Sequence, residues 1–101
     1  MTPKHQINQR FLNSVWDAIE DNRETAGNMK LRLELMIALT ERIAKAGLSQ
    51  SQAARLLGVT QPRISDLMRG KINLFALDAL VNMAVAAGLR IEMRVLEGEA
   101  A

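Results

Sequence analysis

Apolar side chains recur at helical spacing through the first half of the chain, and this pattern predicts two amphipathic helices. The first covers residues 7–19, with an apolar stripe formed by Ile7, Phe11, Val15, Trp16 and Ile19. The polar stretch over residues 20–28 predicts a loop. The second helix covers residues 29–46, with a stripe formed by Leu35, Met36, Leu39 and Ile43. Gly47 is expected to end it in the left-handed conformation.

Two short helices are predicted next, joined by a turn at Gly58. Ser49 begins the first as its N-cap, and Gln52 stands three residues further on, which is the arrangement of a capping box. Thr60 is the expected N-cap of the second. Pro62 falls in the first turn of that helix, where its missing N–H leaves no hydrogen bond unmade.

Two short helices joined by a glycine-containing turn predict a helix-turn-helix over residues 49–70. Its packed inner face is expected to consist of Ala53, Ala54, Leu57, Val59, Ile64 and Leu67. If Ile64 and Leu67 point inward, helical geometry turns the other face of the second helix outward. That outer face consists of Gln61, Pro62, Arg63, Asp66 and Arg69. It is the surface that a recognition helix places in the major groove of DNA.

The last third of the chain changes its period. Residues 71–75 predict a connection, and residues 77–87 predict a helix closed by Gly88. Beyond it, apolar and charged residues alternate, which predicts a half-buried strand with its apolar face formed by Leu89, Ile91, Met93 and Val95. A lone strand leaves its backbone unpaired, so we expect antiparallel pairing with a second copy and a homodimer. The alternative partner is an N-terminal strand around residues 11–16.

Composition narrows the classes of function. Apolar residues make up 49% of the 101 residues and aromatic residues 3%, so we expect an aliphatic core. The chain has no cysteine, and His5 is its one histidine, so neither thiolate chemistry nor a metal site is expected. Ser49, Ser51 and Ser65 have no histidine to activate them. We therefore expect no cofactor and no enzyme activity.

The N-terminal stretch MTPKHQINQR is polar and lacks the apolar run of a signal peptide. No apolar stretch approaches the length that spans a bilayer. We therefore expect a cytoplasmic protein with no membrane partner.

The net charge of +2 is too small to indicate a nucleic-acid partner, but its distribution is uneven. Residues 42–71 contain six basic residues and one acidic residue, a local charge of +5, and this window includes the helix-turn-helix. A local basic excess is what binding to a polyanion requires. A solvated charged face is the alternative explanation.

Residues 48–71, LSQSQAARLLGVTQPRISDLMRGK, resemble the helix-turn-helix of the Cro/C1 repressor family, also called the xenobiotic-response-element family. The resemblance covers about residues 30–87 and is carried by Gln50, Ala53–Ala54, Leu57–Gly58–Val59, Ile64–Ser65 and Arg69–Gly70–Lys71. It implies a mainly α, lambda-repressor-like bundle of four to five helices, to which the periodicity adds a C-terminal dimerising β-strand. We expect a tail and short helix over residues 1–28, a DNA-binding domain over 29–88 and a strand with a tail over 89–101.

The resemblance also implies roles for individual residues. Gln50 is expected to bind a phosphate, while Gln61 and Arg63 contact base edges, since Gln matches adenine and Arg matches guanine. Asp66 either accepts from a cytosine amino group or deters wrong sequences. Pro62 offers only an apolar contact, for example to a thymine methyl. Contacts to backbone phosphates are expected from Arg55, Arg69 and Lys71. Ala76 stands where relatives commonly have a serine cap.

The flanking segments, NSVWDAIEDNRETAGNMKLRLELMIAL and GLRIEMRV, resemble the short HigA-type antitoxins. This narrower resemblance implies a dimeric repressor of its own operon that binds a double-stranded DNA operator and neutralises a RelE-like toxin. The alternative is an interaction module that masks a toxin with residues 7–28 or the C-terminal region, with DNA binding secondary. Trp16 is expected to be a core or dimer contact, the alternative being a toxin contact.

Overall fold

The computed structural model describes residues 9–21 and 26–98. In this part of the chain there are five α-helices and one 3-10 turn: α1 (Gln9–Asp21), α2 (Ala26–Lys45), α3 (Gln50–Leu57), α4 (Gln61–Met68), the turn Ile72–Leu74 and α5 (Leu77–Ala86). The prediction of a mainly helical bundle is confirmed. None of the described helices combines the length and apolar character needed to cross a membrane.

The core is formed by two pairs of packed helices: α2 lies against α5, and α3 lies against α4. Within the described residues no polar or charged side chain is buried. The largest fully buried side chains come from three of the helices, α2, α4 and α5, and from the 3-10 turn region: Met36, Leu39, Ile64, Leu67, Ile72, Phe75 and Leu80. Phe75 and Ile72 belong to the segment that the sequence predicted only as a connection.

The N-terminal helices extend further than predicted. Helix α1 continues to Asp21 and α2 begins at Ala26, so the predicted loop over residues 20–28 is too long. Gly27 lies in the first turn of α2, where the helix tolerates it. The predicted helix start at Ile7 and the remaining loop positions, 22–25, lie outside the described residues.

Helix α1 buries one face. Phe11, Val15 and Ala18 recur at the spacing of a helical stripe, and all three are buried. Trp16 is 62% exposed, so it is not a core residue of the single chain, and a dimer contact stays a prediction. Because residues 11–16 are helical, the alternative strand partner in this region is also excluded.

Helix α1 lies against the end of α4 at Gly70. Gly70 is buried and has φ +73, and a Cβ built there would lie 2.8 Å from both Cγ and Cδ2 of the Phe11 ring. Only glycine combines a left-handed backbone with this close approach. The N-terminal helix is therefore packed against the motif that the sequence predicted as a separate unit.

The predicted C-terminal strand is not supported. Residues 89–98 form no strand within the described chain, because a strand requires a hydrogen-bonded neighbour and the described residues supply none. Leu89 is half-buried, but residues 90–98 are exposed. Met93, which also fits a core position in the sequence, is 78% exposed.

Candidate nucleic-acid interface

The start of α3 is fixed by the predicted capping box. Ser49 has an extended backbone, and its Oγ accepts a hydrogen bond from the Gln52 N–H at 3.1 Å. In return, the Ser49 N–H donates to Gln52 Oε1 at 2.9 Å. These two bonds satisfy N–H groups that a helix start otherwise leaves unpaired. They place the exposed Gln50 side chain in the first turn of α3.

The turn between α3 and α4 follows from Gly58 and Thr60. Gly58 has φ +71, and its N–H donates to the Ala54 carbonyl, which ends α3. Thr60 has an extended backbone, and its Oγ1 accepts from the Arg63 N–H at 3.3 Å, which begins α4. Pro62 lies in the first turn of α4, as predicted.

The inner face of the motif is packed as predicted. Ala53, Ala54 and Leu57 of α3 and Ile64 and Leu67 of α4 are all buried, and Val59 is half-buried. The small side chains on α3 allow α4 to approach closely, and Ile64 and Leu67 hold α4 against the core. The outer face of α4 is consequently turned away from the core.

The five predicted outer residues differ in exposure. Gln61 and Pro62 are exposed, whereas Arg63, Asp66 and Arg69 are half-buried. The exposed part of α4 is therefore centred on its first turn. The three half-buried side chains all have partners within the chain.

Arg63 lies over an aromatic ring. Its guanidinium carbon is 4.3 Å from the centroid of the Phe75 ring, within the range of a cation–π interaction. The sequence alone did not predict this contact. Ile72 and Phe75 are apolar residues three positions apart that follow Gly70. Their spacing is the one signal in the sequence that the connection after α4 forms a buried turn.

The position of Phe75 is itself fixed by α2. Arg32 Nη1 donates to the carbonyl oxygens of Ile72 and Phe75, both at 3.2 Å. The hydrogen bonds from Arg32 therefore hold the backbone of the 3-10 turn region, and Phe75 in turn lies beneath Arg63. The sequence indicated no role for Arg32, which stands between Lys30 and Glu34 in a run of alternating charged and apolar residues.

Arg69 and Asp66 form an ion pair on α4. Arg69 Nη2 lies 3.2 Å from Asp66 Oδ1, with side-chain exposures of 42% and 24%. The two residues are three apart, so both sit on one side of the helix. Each of these predicted DNA contacts is therefore paired with the other in the free protein.

Comparison with known families decides the assignment of the motif. A family model described as a helix-turn-helix domain matches residues 18–96, which is most of the chain. The chain belongs to the helix-turn-helix family. The match begins within α1 and ends beyond α5, so it covers more than the motif itself. No curated protein sequence matches the chain closely enough to refine the assignment.

The helix-turn-helix domain indicates a DNA-binding regulator. Three further residues that were predicted to contact DNA lie near α4 and are exposed: Gln50 and Arg55 on α3, and Lys71, which follows α4. Their side chains are accessible to a duplex, as contacts to backbone phosphates require.

One basic residue of the central window has a structural role in the helix-turn-helix domain. Arg42 Nε donates to the Ala87 carbonyl oxygen at 3.1 Å, at the C-terminal end of α5. A cation at this end of a helix is favourable because the last carbonyls carry a partial negative charge. The basic excess near the motif therefore rests mainly on Arg55, Arg63, Arg69 and Lys71.

Within residues 9–21 and 26–98, no group of three or more histidine, aspartate or glutamate side chains is arranged to hold a metal ion.

Proposed function

We propose that this protein is a sequence-specific DNA-binding transcriptional repressor that acts as a homodimer on an operator. The observation that carries this proposal is the orientation of α4. Ile64 and Leu67 are fully buried beneath it, while Gln61 and Pro62 are exposed at its first turn. The N-terminal residues of a recognition helix are those that contact base edges in the major groove.

In this proposal Gln61 and Arg63 contact base edges, Gln61 suiting adenine and Arg63 suiting guanine. The stacking of Arg63 on Phe75 supports the role of Arg63, because it limits the orientations of the guanidinium before DNA binds. Pro62 supplies an apolar contact beside them. Asp66 either accepts a hydrogen bond from a cytosine amino group or disfavours binding to other sequences.

Phosphate contacts hold the motif on the duplex. The exposed Gln50, Arg55 and Lys71 supply them in this proposal, together with Arg69 once it leaves Asp66. The affinity falls as salt rises, because each phosphate contact from a lysine or arginine releases counterions.

Dimerisation places two copies of α4 on successive major grooves, about 34 Å apart. The proposed dimer contact is the segment that contains Leu89, Ile91, Met93 and Val95. Its support is that Ile91, Met93 and Val95 stay exposed in the single chain, although alternating apolar residues are typical of a half-buried strand.

We further propose that the protein is the autorepressing antitoxin of a toxin–antitoxin pair, on the resemblance of its flanks to HigA-type antitoxins. The observation that favours a protein partner is the exposed side of α1. Trp16 is 62% exposed and Leu12, one turn earlier, is 38% exposed. An exposed tryptophan is typical of binding hot spots. The second candidate function is toxin neutralisation as the main activity, with DNA binding secondary.

Selection from a pool of random duplexes tests the first proposal, and two single variants separate it from the second. The wild type is expected to enrich a sequence with two half-sites. Arg63→Ala is expected to lose this enrichment while still binding the product of a neighbouring reading frame, and Trp16→Ala to show the reverse. Failure of the wild type to enrich any sequence at low ionic strength contradicts the repressor proposal.

A further inference from the structure

The C-terminal segment, residues 89–97, has two chemically distinct faces. Ile91, Met93 and Val95 are 40%, 78% and 86% exposed, and their neighbours Arg90 and Glu92 carry charges. Arg90 Nη2 lies 3.1 Å from Glu92 Oε2, with both side chains largely exposed. Contact between residues two apart is expected when the chain is extended, because such residues share one face. Over residues 89–95 the even-numbered face is therefore charged and the odd-numbered face apolar, whereas Leu96, which is 72% exposed, and Glu97 reverse the alternation.

The segment runs beside the body of the protein. Together with α2 and α5 it lines a groove of about 450 Å³, whose apolar lining includes Leu31, Leu35, Leu77 and Val81. Leu31 is 47% exposed, so the apolar surface extends beyond the segment itself. A partner strand that pairs with the segment would meet this surface with its own apolar face.

The charges decide how a second copy can pair with this segment. When two copies of the segment pair antiparallel about a two-fold axis, two placements of the axis can be considered. The axis lies either at one residue, which is then opposite its own copy, or between two neighbouring residues. An axis between two neighbours is excluded, because directly opposite residues of an antiparallel pair point to the same face, whereas neighbours in a strand point to opposite faces. An axis through residue 92 places Glu92 opposite Glu92 of the second copy, and Arg90 opposite Arg94 of the second copy. An axis through residue 94 places Arg94 opposite Arg94 of the second copy. Like charges directly opposite each other are destabilising.

Axes through odd-numbered residues keep the two faces separate. An axis through Ile91 pairs Arg90 with Glu92, but it pairs only residues 89–93, since the chain before Gly88 is helical. It leaves Val95 without a partner. An axis through Val95 pairs neither Arg90 nor Arg94 with an acid.

We propose that two copies of this chain pair through residues 89–97 in the antiparallel register centred on Met93. This inference rests on the homodimer of the proposed function. In this register Glu92 lies opposite Arg94 of the second copy, twice by symmetry, and Ile91 lies opposite Val95, also twice. Met93 lies opposite its own copy. The segment is then paired from Leu89 to Glu97, and its two outermost pairs, Leu89 with Glu97 and Arg90 with Leu96, are mixed apolar and charged pairs.

The chain has no cysteine, so single cysteine variants report this register directly. Directly opposite residues have Cα atoms about 4.5–5.5 Å apart, within the range that a disulfide spans. Met93→Cys is therefore expected to form a disulfide-linked dimer on mild oxidation. Ile91→Cys alone is not, because the two copies of residue 91 lie four residues apart along the strands, about 13 Å. A mixture of Ile91→Cys and Val95→Cys chains is expected to cross-link to each other.

Charge exchange gives an independent test without oxidation. Glu92→Arg or Arg94→Glu places like charges opposite each other twice, and each is expected to raise the dimer dissociation constant about tenfold or more in sedimentation equilibrium. The double variant restores opposite charges and is expected to return close to the wild-type value. Arg90→Glu is the control, because residue 90 lies opposite Leu96 in this register and its change is expected to be smaller.

The outcomes separate the register from the dimer. Self-linking of Ile91→Cys, or a stable dimer in which Met93→Cys does not link, overturns the register and leaves the dimer. A wild-type chain that sediments as a monomer at high micromolar concentration overturns both, while its binding to DNA is measured separately. Failure of the double charge exchange to recover dimerisation also overturns the register.

Discussion

The guanidinium of Arg63 lies over the ring of Phe75, with 4.3 Å between the guanidinium carbon and the ring centroid. Phe75 is fully buried, and its carbonyl oxygen accepts a hydrogen bond from Arg32. Because the buried ring is held in place, the guanidinium of Arg63 that stacks on it has a limited set of orientations on the side of α4. The arrangement favours binding because fewer orientations are lost when the side chain meets a base.

Arg63→Ala is expected to weaken binding to the selected operator by about 1–3 kcal/mol, the usual value of one bidentate base contact. Fluorescence anisotropy with a labelled duplex measures this change. Arg63→Lys keeps the charge but lacks the planar fork that stacks on Phe75 and pairs with guanine. It is expected to recover only a minor part of the loss. Full recovery by lysine contradicts the stacked, bidentate role and leaves a simple charge effect.

Asp66→Asn is expected to raise affinity for duplexes that lack the selected operator sequence. It removes a negative charge from α4 and releases Arg69 from the 3.2 Å ion pair, so a further cation becomes available for a phosphate. The dependence of log K on log salt is expected to steepen by about one unit. Asp17→Asn is the matched control, since it removes the same charge from an exposed position on α1. An equal effect of both variants indicates net charge alone.

Gly70→Ala tests the packing of α1 on the motif. The left-handed backbone at φ +73 costs about 1–2 kcal/mol for alanine, and the contact with Phe11 adds about 1–3 kcal/mol of overpacking. Gly47→Ala is the control, since Gly47 has φ +65 but no atom within 4 Å of the added Cβ. Urea unfolding is expected to show the larger loss for Gly70→Ala. Equal losses mean that α1 does not press on Gly70 in solution.

Ala76→Ser is expected to stabilise the protein. Ala76 precedes α5 with φ −72 and ψ 154 but offers no side-chain cap, whereas Ser49 has nearly the same backbone and caps α3. A serine at this position is expected to add about 1 kcal/mol, which raises Tm by about 4–8 °C. Ser49→Ala is the reciprocal variant and is expected to lower Tm by a similar amount. An unchanged Tm for Ala76→Ser shows that the α5 start lacks the geometry of a cap.

The parts of the fold that the sequence predicted correctly depend on neighbours a few residues apart. The capping box joins Ser49 to Gln52, and the cap of α4 joins Thr60 to Arg63, so local residue types determine both. The inner face of α4 follows in the same way from the spacing of Ile64 and Leu67.

The features that the sequence did not predict depend on residues far apart in the chain. Phe11 meets Gly70, and Arg32 meets Phe75, through the folding of whole helices onto one another. Trp16 has the spacing of a core residue, but only the packing of α1 decides that it is exposed. The C-terminal strand was predicted from alternation alone, which does not supply the hydrogen-bonding neighbour that a strand requires.

The central claim is that the first turn of α4 binds DNA, and titration of amide resonances with a duplex tests it most directly. In a two-dimensional proton–nitrogen spectrum at low ionic strength, the largest changes are expected at Gln61 and Arg63, with smaller ones at Gln50 and Lys71. Changes confined to α1 or the C-terminal segment, or a spectrum that no duplex alters, contradict the claim.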